Sequence, residues 1–325
     1  MAEGNSIDGV LLQWGDRLFY PPNRLIRPQE QPRLRNLANR HRVEWLRERI
    51  AAAAVRRAPQ VMVKVTGGGR GMNAIAAHLR YITKNGRLEI EDGEGRISRG
   101  KEALREVLEE WRYGGSLIPD LSERREAFNI MLSMPRGSAQ ASIVERAARE
   151  FARTELRGHK YVMVLHDHQA NPHVHISVRA ESKDGRRLNP RKADLQRWRE
   201  TFAERLRELG IDAEATRQAT RGVARNYPAL WQEKAQAQNR LWAPRDAHRS
   251  GEHASRTRAD AAAAWLHLAE ALSRSADPRD RQMAPHCAAS ATRCQISARQ
   301  AISVSINEPS RQWGGRQVDP PALTR

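Results

Sequence analysis

The ten residues 166–175, HDHQANPHVH, hold four of the eleven histidines in the chain. His173 and His175 flank one apolar residue, Val174, and open the β-type run HVHISVRA. Because side chains in a strand alternate between its two faces, these two imidazoles should point the same way. Two imidazoles on one face of a strand predict a metal site.

A third histidine precedes this pair. The run HKYVMVLH, residues 159–166, has the length and composition of a strand and ends at His166. Asn171-Pro172 is a turn signal, and two strands with such a short link usually pair in an antiparallel hairpin. The hairpin would bring His166 beside His173, so that three imidazoles converge and leave coordination positions open, as in catalytic metal sites.

Composition restricts the function further. The chain has 325 residues and a formal net charge of +18, which attracts phosphate-rich partners such as nucleic acid. It has no apolar run of the roughly 20 residues that cross a membrane and no recognisable secretory signal. Two cysteines cannot form a disulfide framework. We therefore expect a cytoplasmic protein without membrane insertion.

The order of elements predicts an α+β fold, a central antiparallel sheet with flanking helices. We expect a basic N-terminal arm with a helix over 1–58, one folded domain over 59–222, and a tail over 223–325 that is helical to largely disordered. The tail has one expected helix, near 259–274, and none over 275–325. Within the domain, strands are expected at 61–65, 88–92, 128–134, 159–166 and from 173, and helices at 72–84, 101–112, 139–156 and 191–209.

Tyr81 lies in the helix that follows the glycine loop 66–71. The apolar residues of this helix form one stripe at helical spacing: Met72, Ile75, Ala76, Leu79 and Ile82. Tyr81 falls opposite that stripe, near Arg80 and Lys84, which suits a residue that meets a phosphate but also an ordinary surface tyrosine. The glycine loop lacks the Lys-Ser/Thr ending of a P-loop, so no nucleotide cofactor is expected.

Three motifs together resemble HUH endonucleases, and most closely the P-type relaxases, or mobilisation nucleases, of conjugative plasmids and integrative elements. HLRYITKNGRLEIEDGEG (78–95) is similar to their tyrosine motif, and NIMLSMPRGS (129–138) to their serine motif. HDHQANPHVHISVRAES (166–182) is similar to their metal motif. The resemblance covers roughly 60–220.

The resemblance implies a palm-like sheet and a DNA-nicking and rejoining activity that initiates conjugative mobilisation. Tyr81 would attack the scissile phosphate and form a 5′-phosphotyrosine, while His166, His173 and His175 would hold Mg²⁺ or Mn²⁺. The substrate would be single-stranded DNA at a transfer origin, with relaxosome accessory proteins and a coupling protein as partners. Four residues are expected to contact the DNA backbone through their side chains: Arg80, Lys84, Arg179 and Lys183.

One position departs from the family pattern. Many relaxases carry Asp two residues after the first histidine, whereas His168 stands there in this chain, next to Asp167. Either residue would serve as a base or orient a metal ligand, or would be a polar loop residue. The choice between them stays open.

Three alternatives remain at this point. A rolling-circle replication initiator would use a downstream tyrosine, and only Tyr227, followed by Pro228, is available. A metal hydrolase or cupin-like protein would use the HxH pair with Glu181, although the glycine framing of a cupin is absent. A non-catalytic DNA-binding accessory protein would have the same fold and bind DNA without cleaving it. Formation of a covalent DNA adduct on Tyr81 would separate these from the relaxase.

Overall fold

The computed structural model describes residues 7–19, 37–167, 171–222, 235, 238–240 and 252–306. The chain divides into two compact units, Pro22–Thr216 and Met1–Pro21 with Arg217–Arg325. We refer to them as the sheet unit and the helical unit. Among the described residues, no helix has both the length and the apolar character needed to cross a membrane.

Nine helices and six strands are described. In chain order the α-helices are α1 (Ile7–Phe19), α2 (Leu37–Ile50), α3 (Met72–Ile82), α4 (Lys101–Tyr113), α5 (Ala141–Glu155), α6 (Lys192–Glu208), α7 (Glu252–Ser273) and α8 (Pro278–Ile306), and the π-helical turn Ala51–Arg56 follows α2. The strands are β1 (Met62–Gly67), β2 (Ile90–Asp92), β3 (Ile97–Ser98), β4 (Ala127–Ser133), β5 (His159–His166) and β6 (His173–Ser182).

The six strands form one sheet in the order β1-β4-β6-β5-β2-β3, and every neighbouring pair is antiparallel. The expected α+β class with a central antiparallel sheet is therefore confirmed. Strand β6 lies at the centre, between β4 and β5, so both of its edges are hydrogen-bonded. This position makes it a rigid platform for the side chains that it carries.

Helices cover both faces of the sheet. Helices α5 and α6 pack on one face, where Phe151 contacts Trp198 and Phe202 edge-to-face at centroid distances of 6.0 and 6.4 Å. Helices α3 and α4 pack on the other face, against Val162 and Val164 of β5. Four of the five residues in the predicted stripe of α3 are buried, namely Met72, Ile75, Leu79 and Ile82, and the fifth, Ala76, is half-buried. The α3 face is also the face to which His166 belongs by strand alternation.

The helical unit has its own core. Helices α7 and α8 pack along each other, and α1 packs against α7. The fully buried Trp265 donates from its indole N–H to the carbonyl of Thr220 at 2.7 Å and meets Phe19 edge-to-face at 6.3 Å. Many of the other buried side chains are small: Ala261, Ala262, Ala264, Cys287, Ala291 and Cys294.

This unit differs from the expected arm and tail. The helix expected near 259–274 is confirmed within Glu252–Ser273. We predicted no element after it, whereas Pro278–Ile306 is a helix, which corrects the expectation for residues 278–306. Ile7–Phe19 is also a helix, and it belongs to this unit rather than to a separate arm. Residues 307–325 lie outside the described residues.

Candidate metal centre and tyrosine cleft

The three histidines meet at one end of the central hairpin. Strands β5 and β6 pair with His166 opposite His173 and Val164 opposite His175. The predicted hairpin is therefore confirmed, and its link is residues 167–172. Since His166, His173 and His175 share the face that α3 covers, the pairing and the strand alternation together bring their rings into one cluster.

The cluster is compact enough to share one cation. Ring centroids lie 5.0 Å apart for His166 and His173, 4.6 Å for His166 and His175, and 5.1 Å for His173 and His175. One ring nitrogen from each residue lies within 4.8 Å of the other two. His166 and His173 are buried and His175 is half-buried, so the imidazoles are shielded from bulk water.

Backbone carbonyls orient two of the three rings. Nε2 of His166 donates to the carbonyl oxygen of Ile82 at 2.6 Å, and Nδ1 of His173 donates to that of Asn171 at 2.9 Å. A carbonyl only accepts, so these contacts require the proton on the named nitrogen and leave a lone pair on the other. Carbonyls in this position are typical supports of metal-binding histidines.

The third ring is held in its neutral form. Burial, followed by the nearby imidazoles of His166, His173 and His78, lowers the pKa of His175 to about 3. Its Nδ1 atom is buried and makes no hydrogen bond. A neutral imidazole with a buried, unbonded nitrogen has the form of a metal ligand. The residues therefore fit a divalent cation.

Tyr81 lies at the end of α3 and opens onto a cleft. Its side chain is 72% exposed, although its neighbours Leu79 and Ile82 are buried in the stripe. A cavity of about 540 Å³ is lined by Tyr81 together with His166. The same cavity is lined by Arg80, Lys84, Asn85 and Arg87. We call it the tyrosine cleft. It brings the predicted tyrosine, one predicted metal ligand and several cations onto one surface.

A left-handed turn after α3 shapes this cleft. Lys84, Asn85 and Gly86 have φ angles of 50°, 58° and 82°, a conformation that is uncommon for a lysine. The buried Thr83 holds the turn, because its hydroxyl donates to the carbonyl of Leu79 at 2.8 Å and accepts from the backbone N–H of Gly86 at 3.1 Å. The turn thereby fixes the cations of the cleft relative to Tyr81.

His78 links the tyrosine to the histidine cluster. Its ring centroid lies 6.5 Å from that of Tyr81 and 6.4 Å from that of His175. Burial lowers its pKa, and its Nε2 atom is buried without a hydrogen bond. We did not predict His78 as a site residue, although its position three residues before Tyr81 places both on one side of the helix.

The serine motif supports the metal motif. Ser133 donates from its hydroxyl to the carbonyl of Pro172 at 3.2 Å, and the backbone N–H of Met134 donates to the same oxygen at 3.3 Å. The backbone N–H of Arg136 donates to Oδ1 of Asn171 at 3.0 Å. Asn171 thus joins the two motifs, because its carbonyl in turn orients His173.

Two of the four cations predicted to contact DNA lie elsewhere. Arg80 and Lys84 line the tyrosine cleft. Arg179 does not, because its buried guanidinium donates to the carbonyls of Trp111, Gly114 and Ser116, with a closest distance of 2.6 Å. Lys183 is exposed but follows the far end of β6, on the order of 30 Å from His173. These two residues therefore lie outside the tyrosine cleft, and their contact with DNA stays a prediction.

The structure describes one of the two residues, Asp167 and His168, whose roles the sequence leaves open. Asp167 is exposed, and strand alternation directs it away from the histidine face. Burial raises the pKa of Glu145 on α5, and the nearby carboxylates, including Asp167, raise it further. Asp167 is therefore close enough to α5 to act on the carboxyl group of Glu145. His168 lies outside the described residues.

Residues 81–211 match the family model of the MobA/VirD2-like relaxase nuclease domain. This match supports the interpretation of the sheet unit as a relaxase or mobilisation nuclease. The matched segment begins at Tyr81 and includes the whole histidine hairpin. The resemblance inferred from the three motifs is thereby confirmed. No curated protein matches the chain at a significant level.

Proposed function

We propose that this protein is a relaxase that nicks and rejoins one DNA strand at a transfer origin through a covalent bond to Tyr81, and so initiates conjugative mobilisation. One observation carries the proposal most strongly. The exposed Tyr81 shares a cleft with His166, a member of the three-histidine cluster. Both halves of a nicking centre, the nucleophile and the candidate metal site, therefore face the same space.

The reaction is a transesterification. The phenolic oxygen of Tyr81 loses its proton and attacks the scissile phosphorus, and the bond from phosphorus to the 3′ oxygen breaks. The products are a 5′-phosphotyrosine and a free 3′-hydroxyl. One phosphoester forms for each one broken, so the reverse attack by a 3′-hydroxyl rejoins the strand and regenerates the tyrosine.

The chain supplies charge and orientation for this step. Mg²⁺ or Mn²⁺ held by His166, His173 and His175 would stabilise the negative charge that builds up on the phosphate oxygens. Arg80 and Lys84 line the cleft and offer cations to the flanking phosphates. His78, beside both Tyr81 and His175, is placed to orient the tyrosine ring.

The substrate follows from the same geometry. A phosphate must enter the tyrosine cleft and approach the histidine cluster, which a single strand does more readily than a stacked duplex. We infer single-stranded DNA near the nick, delivered in the cytoplasm by accessory proteins and passed on to a coupling protein. The net charge of +18 favours binding to the DNA backbone.

A plasmid-nicking assay tests the proposal. A supercoiled plasmid that carries the DNA flanking the gene is incubated with Mg²⁺ or Mn²⁺ and either the wild type or a tyrosine variant. The wild type should produce open circles with protein attached to the 5′ end, and Tyr81→Phe should produce none. The matched control is Tyr113→Phe, since Tyr113 is 68% exposed but does not line the cleft.

Other outcomes favour the alternatives. Tyr227, which the rolling-circle initiator would use, lies outside the described residues, so Tyr227→Phe forms a third arm. If Tyr81→Phe retains adduct formation while Tyr227→Phe loses it, the initiator is supported instead. If the wild type forms no adduct with either metal, the chain behaves as a DNA-binding accessory protein.

A further inference from the structure

A second cavity, of about 600 Å³, adjoins the tyrosine cleft. Arg80, Asn85 and Arg87 line both cavities, so the two are continuous across the turn that follows α3. The other lining residues are Gly86 and five residues at the start of α4: Gly100, Lys101, Leu104, Arg105 and Leu108. We call this cavity the α4 pocket.

The walls of the α4 pocket are held by close backbone packing. The N–H of Gly100 donates to the carbonyl of Gly86 at 2.9 Å. Gly86 has a φ of 82°, and a Cβ atom at this position would collide with the Gly100 carbonyl. Leu104, 5% exposed, anchors α4 in the core beneath the pocket. The pocket is thus part of the folded sheet unit rather than a gap between loose side chains.

The lining of the pocket combines cations with an apolar floor. Arg80, Arg87, Lys101 and Arg105 are exposed, whereas Leu104 and Leu108 offer apolar surface. None of the nine lining residues is acidic. Arg105 contacts Glu102 at 2.8 Å, but both side chains are exposed and such a pair on a helix surface is weak. Cations around an apolar floor suit a ligand with a phosphate and a flat, largely apolar ring system.

We propose that the α4 pocket holds the nucleotide next to the scissile phosphate. Its base lies against Leu104 and Leu108, and its phosphate contacts Lys101 and Arg105. The inference rests on the proposed function, because it requires a DNA strand in the tyrosine cleft. Continuity with that cleft supports it, since a strand bound at Tyr81 reaches the α4 pocket without leaving the surface.

Charge reversal at the pocket tests the phosphate contacts. Lys101→Glu with Arg105→Glu is compared with Lys183→Glu with Arg153→Glu, which makes the same change in net charge away from the pocket. The control is closely matched, because Arg153 pairs with Glu150 at spacing i,i+3 as Arg105 does with Glu102. Binding of a fluorescein-labelled 12-residue oligothymidylate is measured by anisotropy over a range of salt concentrations.

The pocket variant should bind the oligonucleotide at least about tenfold more weakly than the control. The slope of its log affinity against log salt concentration should decrease by the equivalent of about two phosphate contacts. Equal affinities for the two double variants, or no binding by the wild type, would overturn the inference. Circular dichroism of each variant shows whether it is folded before its affinity is compared.

A second variant tests the base contact. The wild type should bind the oligothymidylate more tightly than an abasic oligonucleotide of equal length, and Leu108→Ala should reduce that preference at least about threefold. An unchanged preference in Leu108→Ala would contradict the assignment of the floor. Because anisotropy does not require cleavage, loss of nicking with normal pocket behaviour would count against the proposed function alone.

Discussion

The two faces of β6 are both buried, yet they differ in what they contribute. One face carries apolar side chains that pack beneath α5 and α6: Val174, Ile176, Val178 and Ala180. The other carries polar side chains beneath α3 and α4: His173, His175, Ser177 and Arg179. Ile176 is 0% exposed and its neighbour Ser177 is 1% exposed, so burial alone does not distinguish the faces.

The difference lies in how the polar groups are satisfied. Ser177 donates to the side-chain oxygen of Asn129 at 3.1 Å, and Arg179 donates to three backbone carbonyls. These two are structural. His175 has a buried nitrogen without a hydrogen bond, and leaving such a group unsatisfied destabilises a fold. The polar face of β6 therefore differs along its length, because its hydrogen bonding within the chain is complete at Ser177 and Arg179 and incomplete at His175.

The largest effect is expected on the histidine side of this comparison. His175→Ala removes one of the three proposed metal ligands, so affinity for Mn²⁺ should fall at least about 100-fold, more than for a supporting residue. Adduct formation should fall with it. Isothermal titration calorimetry measures the affinity. His159→Ala, at the other end of β5, is the control and should bind Mn²⁺ as the wild type does. Wild-type affinity in His175→Ala would remove this residue from the site.

A substitution on the apolar face of β6 should reduce stability and leave metal affinity nearly unchanged. Ile176→Ala leaves a cavity in the core, and its free energy of unfolding should fall by about 2–5 kcal/mol. Affinity for Mn²⁺ should stay within about threefold of the wild type, because no ligand points to that face. Urea unfolding of the metal-free protein and calorimetry provide the two values. A loss of metal affinity as large as the loss of stability would mean that the faces are not independent.

A smaller effect on metal affinity is expected at Asn171, which connects the serine motif to the metal motif. Asn171→Ala removes the oxygen that accepts from the N–H of Arg136 and so loosens the carbonyl that orients His173. Affinity for Mn²⁺ should fall about tenfold, and Asn171→Asp, which keeps an acceptor oxygen, should restore most of it. Equal losses in both variants would contradict a role for that oxygen.

The last prediction concerns a pH dependence of the stability of the metal-free protein, which acts through His175 alone. The folded state holds the pKa of His175 at about 3, against about 6.5 in the unfolded chain. Between these values the unfolded chain binds a proton that the native state does not. The free energy of unfolding therefore rises with pH by up to about 1.4 kcal/mol per unit from this residue and levels off above pH 6.5. Urea unfolding of His175→Gln should show a shallower rise; an identical rise would contradict the shift.

The sequence predicts the hairpin well because its signals are local. Strand alternation orders the faces of β6, and Asn171-Pro172 marks the link, so the three histidines are found without knowledge of the rest of the fold. The outward position of Tyr81 follows in the same way from its place opposite the α3 stripe. Its part in a shared cleft with His166 does not, since that depends on how α3 crosses the sheet.

Long-range contacts and weak periodicity explain what the sequence did not predict. Arg179 has the charge of a DNA contact, but the carbonyls that bind it lie more than 60 residues earlier in the chain, where no spacing rule applies. Helix α8 was missed because its buried positions are occupied by small residues such as Cys287, Ala291 and Cys294. Alanine, serine and cysteine give little hydrophobic contrast, so the helical period is weak although the helix is well packed.

Mapping the tyrosine that becomes attached to DNA tests the central claim most directly. The wild type is trapped after nicking, the DNA is digested to a short remnant, and tryptic peptides are analysed by mass spectrometry. The account predicts a nucleotide remnant on the peptide 81–84, YITK, which contains Tyr81. A remnant on the peptide 226–234, NYPALWQEK, which contains Tyr227, or on no tyrosine at all, would contradict it.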